Sequence, residues 1–208
     1  ASTPLPDRLE TWNFMRQLGM AEVLDPGFLA AVAPEGPIEH MRDVYRSAPA
    51  RSNVNRLLYY DWQFTLADND LRKVEAMCEL GGIAVSYPML HPDVVEMSNR
   101  VPPGMKMPGT ELRDFYKRAM QGFLPDEIIQ KKKHGFGLPF GLWLQQSSEL
   151  RDLVFGNLSD LKRRRIIRDA FLDRLLHLHG ADDARYYGVF IWVLAMLEQW
   201  FKAHEIPA

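Results

Sequence analysis

The sequence predicts a mainly α-helical fold with at most one short strand. Apolar residues recur at three- and four-residue spacing along most of the 208 residues. Helix-starting and helix-stopping residues punctuate these runs, and only residues 83–87 read as β-prone.

Leu9, Trp12, Met15 and Leu18 share one helical face, with Gly19 as a stop. A short helix over 28–32 follows Pro26, and another over 38–45 closes at the break formed by Ser47 and Pro49. Val54, Leu57, Leu58, Asp61, Trp62 and Thr65 predict a long helix over 53–66, capped by Ser52 or Asn53. A further helix over 71–80 ends at Gly81 and Gly82. Residues 83–87, before Pro88, read as an extended buried segment and the one candidate strand.

Pro92 opens a helix over 92–100, which stops before Pro102 and Pro103. Thr110 is the expected cap of an amphipathic helix over 110–120, and 125–130 makes one or two more turns. Two glycines and a proline make 131–139 a loop. Helices over 140–144, 149–155, 164–179 and 184–204 complete the chain. With no repeat, low-complexity segment or linker in sight, residues 1–208 read as one domain.

A hydrophobic content of 47% and a charged content of 25% suit a globular chain long enough to bury a core. The net charge of −2 gives no reason to expect nucleic-acid or membrane binding. The apolar run 189–197 is far shorter than the ~20 residues of a membrane span and reads as a buried helix. The single cysteine, Cys78, excludes an internal disulfide and suits a cytoplasmic setting. The N-terminus has neither the basic nor the apolar segment of a signal peptide. It also lacks an initiator methionine, so the chain is expected to be a fragment.

A collinear series of short stretches resembles the asparagine synthetase family. It runs from Tyr60-Asp61 through Asp68, Asp70-Leu71 and Lys73-Val74-Glu75 to Val85 and Pro88. It continues with Val94-Val95-Glu96, Pro102-Pro103, Lys106, Arg118-Ala119, Gly122 and Leu124-Pro125. It ends at Lys132-Lys133-His134-Gly135-Phe136-Gly137 and Pro139. The resemblance is clear over about residues 55–145 and looser in the flanks.

This resemblance implies the C-terminal, helical portion of an α/β ATP-pyrophosphatase domain, of the adenine nucleotide alpha hydrolase-like type. It implies Mg-ATP as cofactor and a small-molecule carboxylate as substrate, activated as an acyl adenylate. Ammonia from a separate glutaminase domain would then form the amide. The family's phosphate loop, Ser-Gly-Gly-x-Asp-Ser, does not occur in this sequence, nor does an N-terminal cysteine for glutamine hydrolysis. Both nucleotide-binding and glutaminase portions are therefore expected as partners, and the isolated chain is expected to be inactive. Oligomerisation is left open.

Lys133 matches the family lysine before the glycine loop and is the catalytic candidate. An ammonium there can meet charge developing on pyrophosphate or on the tetrahedral intermediate. Gly135 and Gly137 allow positive φ and close approach of backbone to ligand. Residues 131–133 also read as a solvated charge run favoured by a helix C-terminus. Asp61 and Asp68 fall on family carboxylate positions suited to the nucleotide or magnesium side. Asp61 also reads as a helix-face residue, and Asp68 as a turn or cap.

Three positions depart from the family pattern. Ala84 stands where the general-base glutamate of Leu-Glu-x-Arg-x-Pro is expected, Ser86 at the arginine, and His91 at the following aspartate. An alanine methyl cannot take a proton. A different substrate, another base or lost activity would each account for this, and Glu75 and Glu79 are nearby carboxylates. A catalytically degenerate paralogue with a binding or regulatory role is the alternative. His177 and His179 diverge on a helix and make a poor metal pair, so no metal site is expected. Arg163, Arg164, Arg165 and Arg168 read as a solvated face, the region of Trp192, Leu194, Met196 and Trp200 as core or docking surface, and Cys78 as a buried hydrophobe.

Overall fold

The computed structural model describes residues 3–11, 13–132, 137–181 and 184–208. A 3₁₀ turn (Asp7–Glu10) precedes α1 (Phe14–Leu18), α2 (Met20–Val23), α3 (Pro26–Ala31), α4 (Gly36–Ser47) and α5 (Asn53–Asp61). A π-helix (Trp62–Leu71) joins α5 to α6 (Arg72–Leu80). After a 3₁₀ turn (Pro88–Leu90) come α7 (Pro92–Arg100), α8 (Pro103–Lys106), α9 (Asp114–Ala119) and α10 (Asp126–Gln130). The last four helices are α11 (Phe140–Gln146), α12 (Ser148–Arg163), α13 (Asp169–Ala181) and α14 (Ala184–Ala203). The fold is mainly helical, and the described residues hold isolated bridges rather than a strand ladder. They form two compact units, residues 1–38 with 135–208, and residues 39–134.

In the first unit, the helix expected from Leu9 to Leu18 is divided. Asn13 takes extended backbone and accepts from the Arg16 N–H, so α1 starts afresh there. Gly19, at φ 88°, ends it. Trp12 lies outside the described residues. The expected helix over 164–179 also starts late, at Asp169. Arg165 takes left-handed backbone at φ 51°, and 166–168 pairs with 23–25 instead. The Asp25 N–H donates to the Ile166 carbonyl and the Arg168 N–H to the Val23 carbonyl, around the Leu24–Ile167 bridge.

The core of this unit surrounds α14, which packs on α11, α12 and α13. Phe190, Ile191, Leu194 and Ala195 are buried with Val154, Leu158 and Leu161 of α12 and with Phe171, Leu172 and Leu175 of α13. Each large apolar side chain so buried contributes about 1.5–3 kcal/mol. α11 comes closest to α14. A Cβ built on Gly188 would lie 2.3 Å from the Gly141 Cα and 2.6 Å from its nitrogen. His179 of α13 is buried beside this crossing and donates from Nε2 to the Gly141 carbonyl at 3.1 Å. His177 and His179 read from sequence as the surface end of a helix, and this is corrected at His179, which is a core hydrogen-bond donor.

The arginine run is not uniformly solvated either. Arg164 has 8% of its side chain exposed and pairs through both Nε and Nη2 with Glu198, which has 2%. Its Nη1 also donates to the Ile206 and Pro207 carbonyls, and its guanidinium lies 4.4 Å from the Phe201 ring centre. Arg164 thereby ties the end of α12 to α14 and to the segment that follows it. Hydrogen bonding to Glu198 raises its pKa further above the ordinary arginine value. Next to it, Asp160 accepts from Lys202 at 2.6 Å and Arg163 at 2.5 Å. The Lys202 hydrogen bond, then the charges of Lys202, Arg163 and Arg164, hold its carboxyl below the usual range against the opposing effect of burial.

The second unit has little core. Tyr45, Met41 and Ala48 are buried along and just after α4, and Tyr60 on α5. Ser52 caps α5 as predicted, accepting from the Asn55 N–H. The chain then stays helical to Leu80, and α6 ends at Gly81 with Gly82 at φ 63°. Residues 83–87 are neither strand nor buried core: Ile83 is 66% and Val85 40% exposed. Thr110 does not cap a helix, since Gly109 (φ 64°) and Arg113 (φ 61°) break the path and α9 begins at Asp114.

Two outcomes are expected. Gly188→Ala forces a methyl into the α11 backbone and destabilises the protein by about 3 kcal/mol, read as a lower urea midpoint. Asp160 has a depressed folded-state pKa, so its contribution is present above the unfolded value of about 4 and lost as pH falls through the folded value. Unfolding curves at a series of acidic pH values should therefore show a shallower loss of stability in Asp160→Asn than in wild type.

Candidate functional site

Lys133 and Gly135 lie outside the described residues, together with His134 and Phe136. The chain is described up to Lys132 on one side, where Lys131 and Lys132 are exposed after α10, and from Gly137 on the other. Gly137 is exposed, and its backbone is not in the left-handed region. A Cβ there would meet nothing within 4 Å, so no contact among the described residues requires glycine at that position.

Asp61 and Asp68 both lie on the helical rod that runs from α5 through the π-helix to α6. Asp61 ends α5, is exposed, and accepts from the Thr65 hydroxyl at 3.3 Å. Asp68 sits inside the π-helix, not in a turn, and α6 follows without a side-chain cap. Lys73 pairs with Asp70 at 2.9 Å across the junction. A ten-residue π-helix is unusual, since such i to i+5 bonding mostly appears as single-turn bulges and often at functional sites.

Along the departing motif, Ala84 and Ser86 are exposed. His91 caps α7: its Nδ1 accepts from the Asp93 N–H at 3.4 Å. Tyr87, between Ser86 and the motif proline, was not singled out by sequence. Its hydroxyl is shielded from solvent and has no hydrogen-bond partner among the described residues. Burial, then the charges of Glu75 and Cys78, push its pKa up, which keeps the phenol neutral. Cys78, on α6, is half-buried. The only available signal for Tyr87 was its position beside Pro88.

Two concavities stand out, one in each unit. The first, of about 670 Å³, is lined by Asp25, Lys162, Arg163, Arg165, Arg168 and Asp169 among others. Its cations are largely engaged: Lys162 with Asp173 at 2.5 Å, Arg163 with Asp160, and Arg168 with the Leu24 carbonyl at 3.0 Å. The second, of about 470 Å³, gathers Asn55, Tyr59, Trp62, Ser98, Asn99 and Lys106. Burial lowers the Lys106 pKa from the ordinary lysine value.

The tryptophan-rich end of α14 divides between the expected roles. Trp192 stacks on Phe140 at 4.3 Å against the core, while Trp200 is 50% exposed. Among the described residues, no group of three or more His, Cys, Asp or Glu side chains is placed to hold a metal. No helix among them is long and apolar enough to cross a membrane.

Residues 1–202 match the protein family described as asparagine synthase. Among curated proteins, the chain is 22% identical over 187 residues to asparagine synthetase [glutamine-hydrolyzing] 1 of Bacillus subtilis, covering 88% of this chain and 28% of that protein. It is 26% identical over 168 residues to asparagine synthetase [glutamine-hydrolyzing] 3 of the same organism, covering 74% and 26%. It is 23% identical over 168 residues to a putative asparagine synthetase [glutamine-hydrolyzing] of Mycobacterium tuberculosis, covering 78% and 25%. The chain thus spans about a quarter of the length of the curated relatives it matches. No solved structure matches it at a significant level.

Proposed function

The chain belongs to the asparagine synthase family, and on that premise we propose that it is the helical C-terminal portion of an ATP-dependent amidotransferase of asparagine synthetase type. In the proposed reaction the substrate carboxylate attacks the α-phosphorus of Mg-ATP. An acyl adenylate forms and pyrophosphate leaves. Ammonia from a glutaminase portion then attacks the acyl carbon, and AMP departs as the amide forms. A cytoplasmic setting suits this chemistry.

The observation that carries the reading is the family match along residues 1–202 in a sequence without Ser-Gly-Gly-x-Asp-Ser. Backbone N–H groups in such a loop cradle the phosphates, and lysine and aspartate side chains are no substitute for that cradle. The residues of this chain alone therefore do not fit a tightly bound nucleotide, and neither ATP nor magnesium is expected to bind it tightly. The second unit supports the presence of a covering partner. Leu80 and Phe123 are each 80% exposed, with Met77, Ile83 and Met89 all above half. Large apolar side chains exposed to this degree suit coverage by another polypeptide. We assign that role to the nucleotide-binding portion.

Within the assembled protein, Lys133 is assigned to hold its ammonium against charge that develops at the phosphate or the acyl carbon. Asp61, Gly135 and Gly137 are assigned to the nucleotide side. The competing reading is a catalytically degenerate paralogue, and Ala84 at the general-base position favours it.

The 208-residue chain, supplied with aspartate, ammonia and Mg-ATP, is expected to form no AMP. Joined to its nucleotide-binding portion it is expected to form AMP in the presence of the right carboxylate. Lys133→Ala should then lower the rate about 10²–10³-fold. Carboxylate-dependent AMP from the 208-residue chain would overturn the fragment reading. An assembled protein that forms none with any carboxylate would favour the degenerate paralogue.

A further inference from the structure

We propose that the concavity around Lys106 in the second unit is a binding site for a small organic monocarboxylate with an aromatic or apolar body. The site is assembled from three helical segments. Asn55, Tyr59 and Trp62 come from α5 and the first residue of the π-helix, Ser98 and Asn99 from the end of α7, and Lys106 from the end of α8. Lys106 belongs to the family-like stretches, but none of these residues is given a role in the ligase reading, and the inference does not depend on it.

Lys106 supplies the argument for charge. It is partly buried, and its Nζ donates to Asn55 Oδ1 at 3.1 Å. It is in no ion pair among the described residues, whereas Lys73, Lys117, Lys162 and Lys202 each meet a carboxylate. An ammonium has three donors, and a neutral amide oxygen satisfies one without compensating the charge. Partial burial without a counter-ion is costly and lowers the lysine pKa, as it does here. An incoming carboxylate supplies both the missing charge and an acceptor, in a charge-assisted hydrogen bond.

The other walls select the body of the ligand. Tyr59 and Trp62 offer ring surface, with Trp62 41% exposed and Leu58 beside it 39%. The Ser98 hydroxyl and the Asn99 amide provide neutral polar groups. A volume of about 470 Å³, apolar walls and a few convergent polar groups suit a small molecule. A single cation matches a monoanion better than a polyphosphate. The more basic concavity at Arg165 is weaker, because two of its cations are already neutralised by Asp160 and Asp173.

The test uses the whole chain, with phenylacetate as probe and phenylacetamide as its neutral counterpart. Binding is followed by NMR at the Lys106 ε-methylene, assigned through Lys106→Met, and at the Trp62 indole, assigned through Trp62→Phe. Phenylacetate should give saturable shifts at both residues and bind at least about tenfold more tightly than phenylacetamide. That preference should vanish in Lys106→Met. The Lys106 pKa in the wild-type protein should rise on adding phenylacetate and stay unchanged with the amide. Absence of saturable shifts, equal binding of acid and amide, or a preference that survives Lys106→Met would each overturn the proposal. If Lys106→Met fails to fold, the wild-type titration decides, and an unmoved Lys106 pKa overturns it.

Discussion

The contact between α11 and α14 at Gly141 and Gly188 is the constraint on which the first unit rests. Backbone this close leaves no room for a methyl group, so the crossing works only with glycine on α14. Once it forms, α11 covers one side of α14, and α12 and α13 cover others. Two polar ties then fix the arrangement: His179 holds the Gly141 carbonyl, and Arg164 grips Glu198. Both involve buried groups, and a buried polar group is stable only when its partner is present. The apolar cluster supplies most of the stabilisation. The crossing and the ties select one packing among several that apolar periodicity alone would allow.

The second unit is organised along one continuous rod, from α5 through the π-helix to α6, with a thin buried core. Met77, Leu80 and Ile83 near the end of that rod are all more than half exposed. The same unit contains the stretches in which the family resemblance is clearest, including the rod, the segment 83–91 and the helices that follow. The regions with the strongest functional signature and the weakest self-contained core therefore coincide.

Much of this architecture was legible in the sequence because helix propensity and punctuation are local. Ser52, Gly81 and Pro92 mark helix limits where the structure has them. The failures arise where a non-local or left-handed backbone condition intervenes. Residues 166–168 read as helix, but they find partners at 23–25, more than a hundred residues away. Thr110 had the side chain of a cap and the wrong backbone after it. The run 83–87 had β-branched residues but no strand to pair with among the described residues, and propensity cannot supply a partner. Burial of charged residues was invisible for the same reason: the Arg164 side chain is buried, unlike those of its neighbours, because of what folds over it. At the candidate site, the sequence put Asp61 on a helix face, whereas the end of α5 at Asp61, the shielded Tyr87 hydroxyl and a Lys106 without an ion pair among the described residues appear only in three dimensions.

His91 shows how the motif departures can be understood physically. At a position preceding a helix, an aspartate serves two purposes: it can cap the first turn, and it can act on a ligand. His91 retains the first, because its Nδ1 accepts from the Asp93 N–H and α7 forms as usual. An imidazole carries no negative charge in either of its common forms. Ala84 is compatible with the exposed backbone around it but offers no proton acceptor. The segment therefore keeps its helix cap at His91 while Ala84 and His91 present no carboxylate. Any acid or base work in an active assembly would have to come from groups the motif does not name.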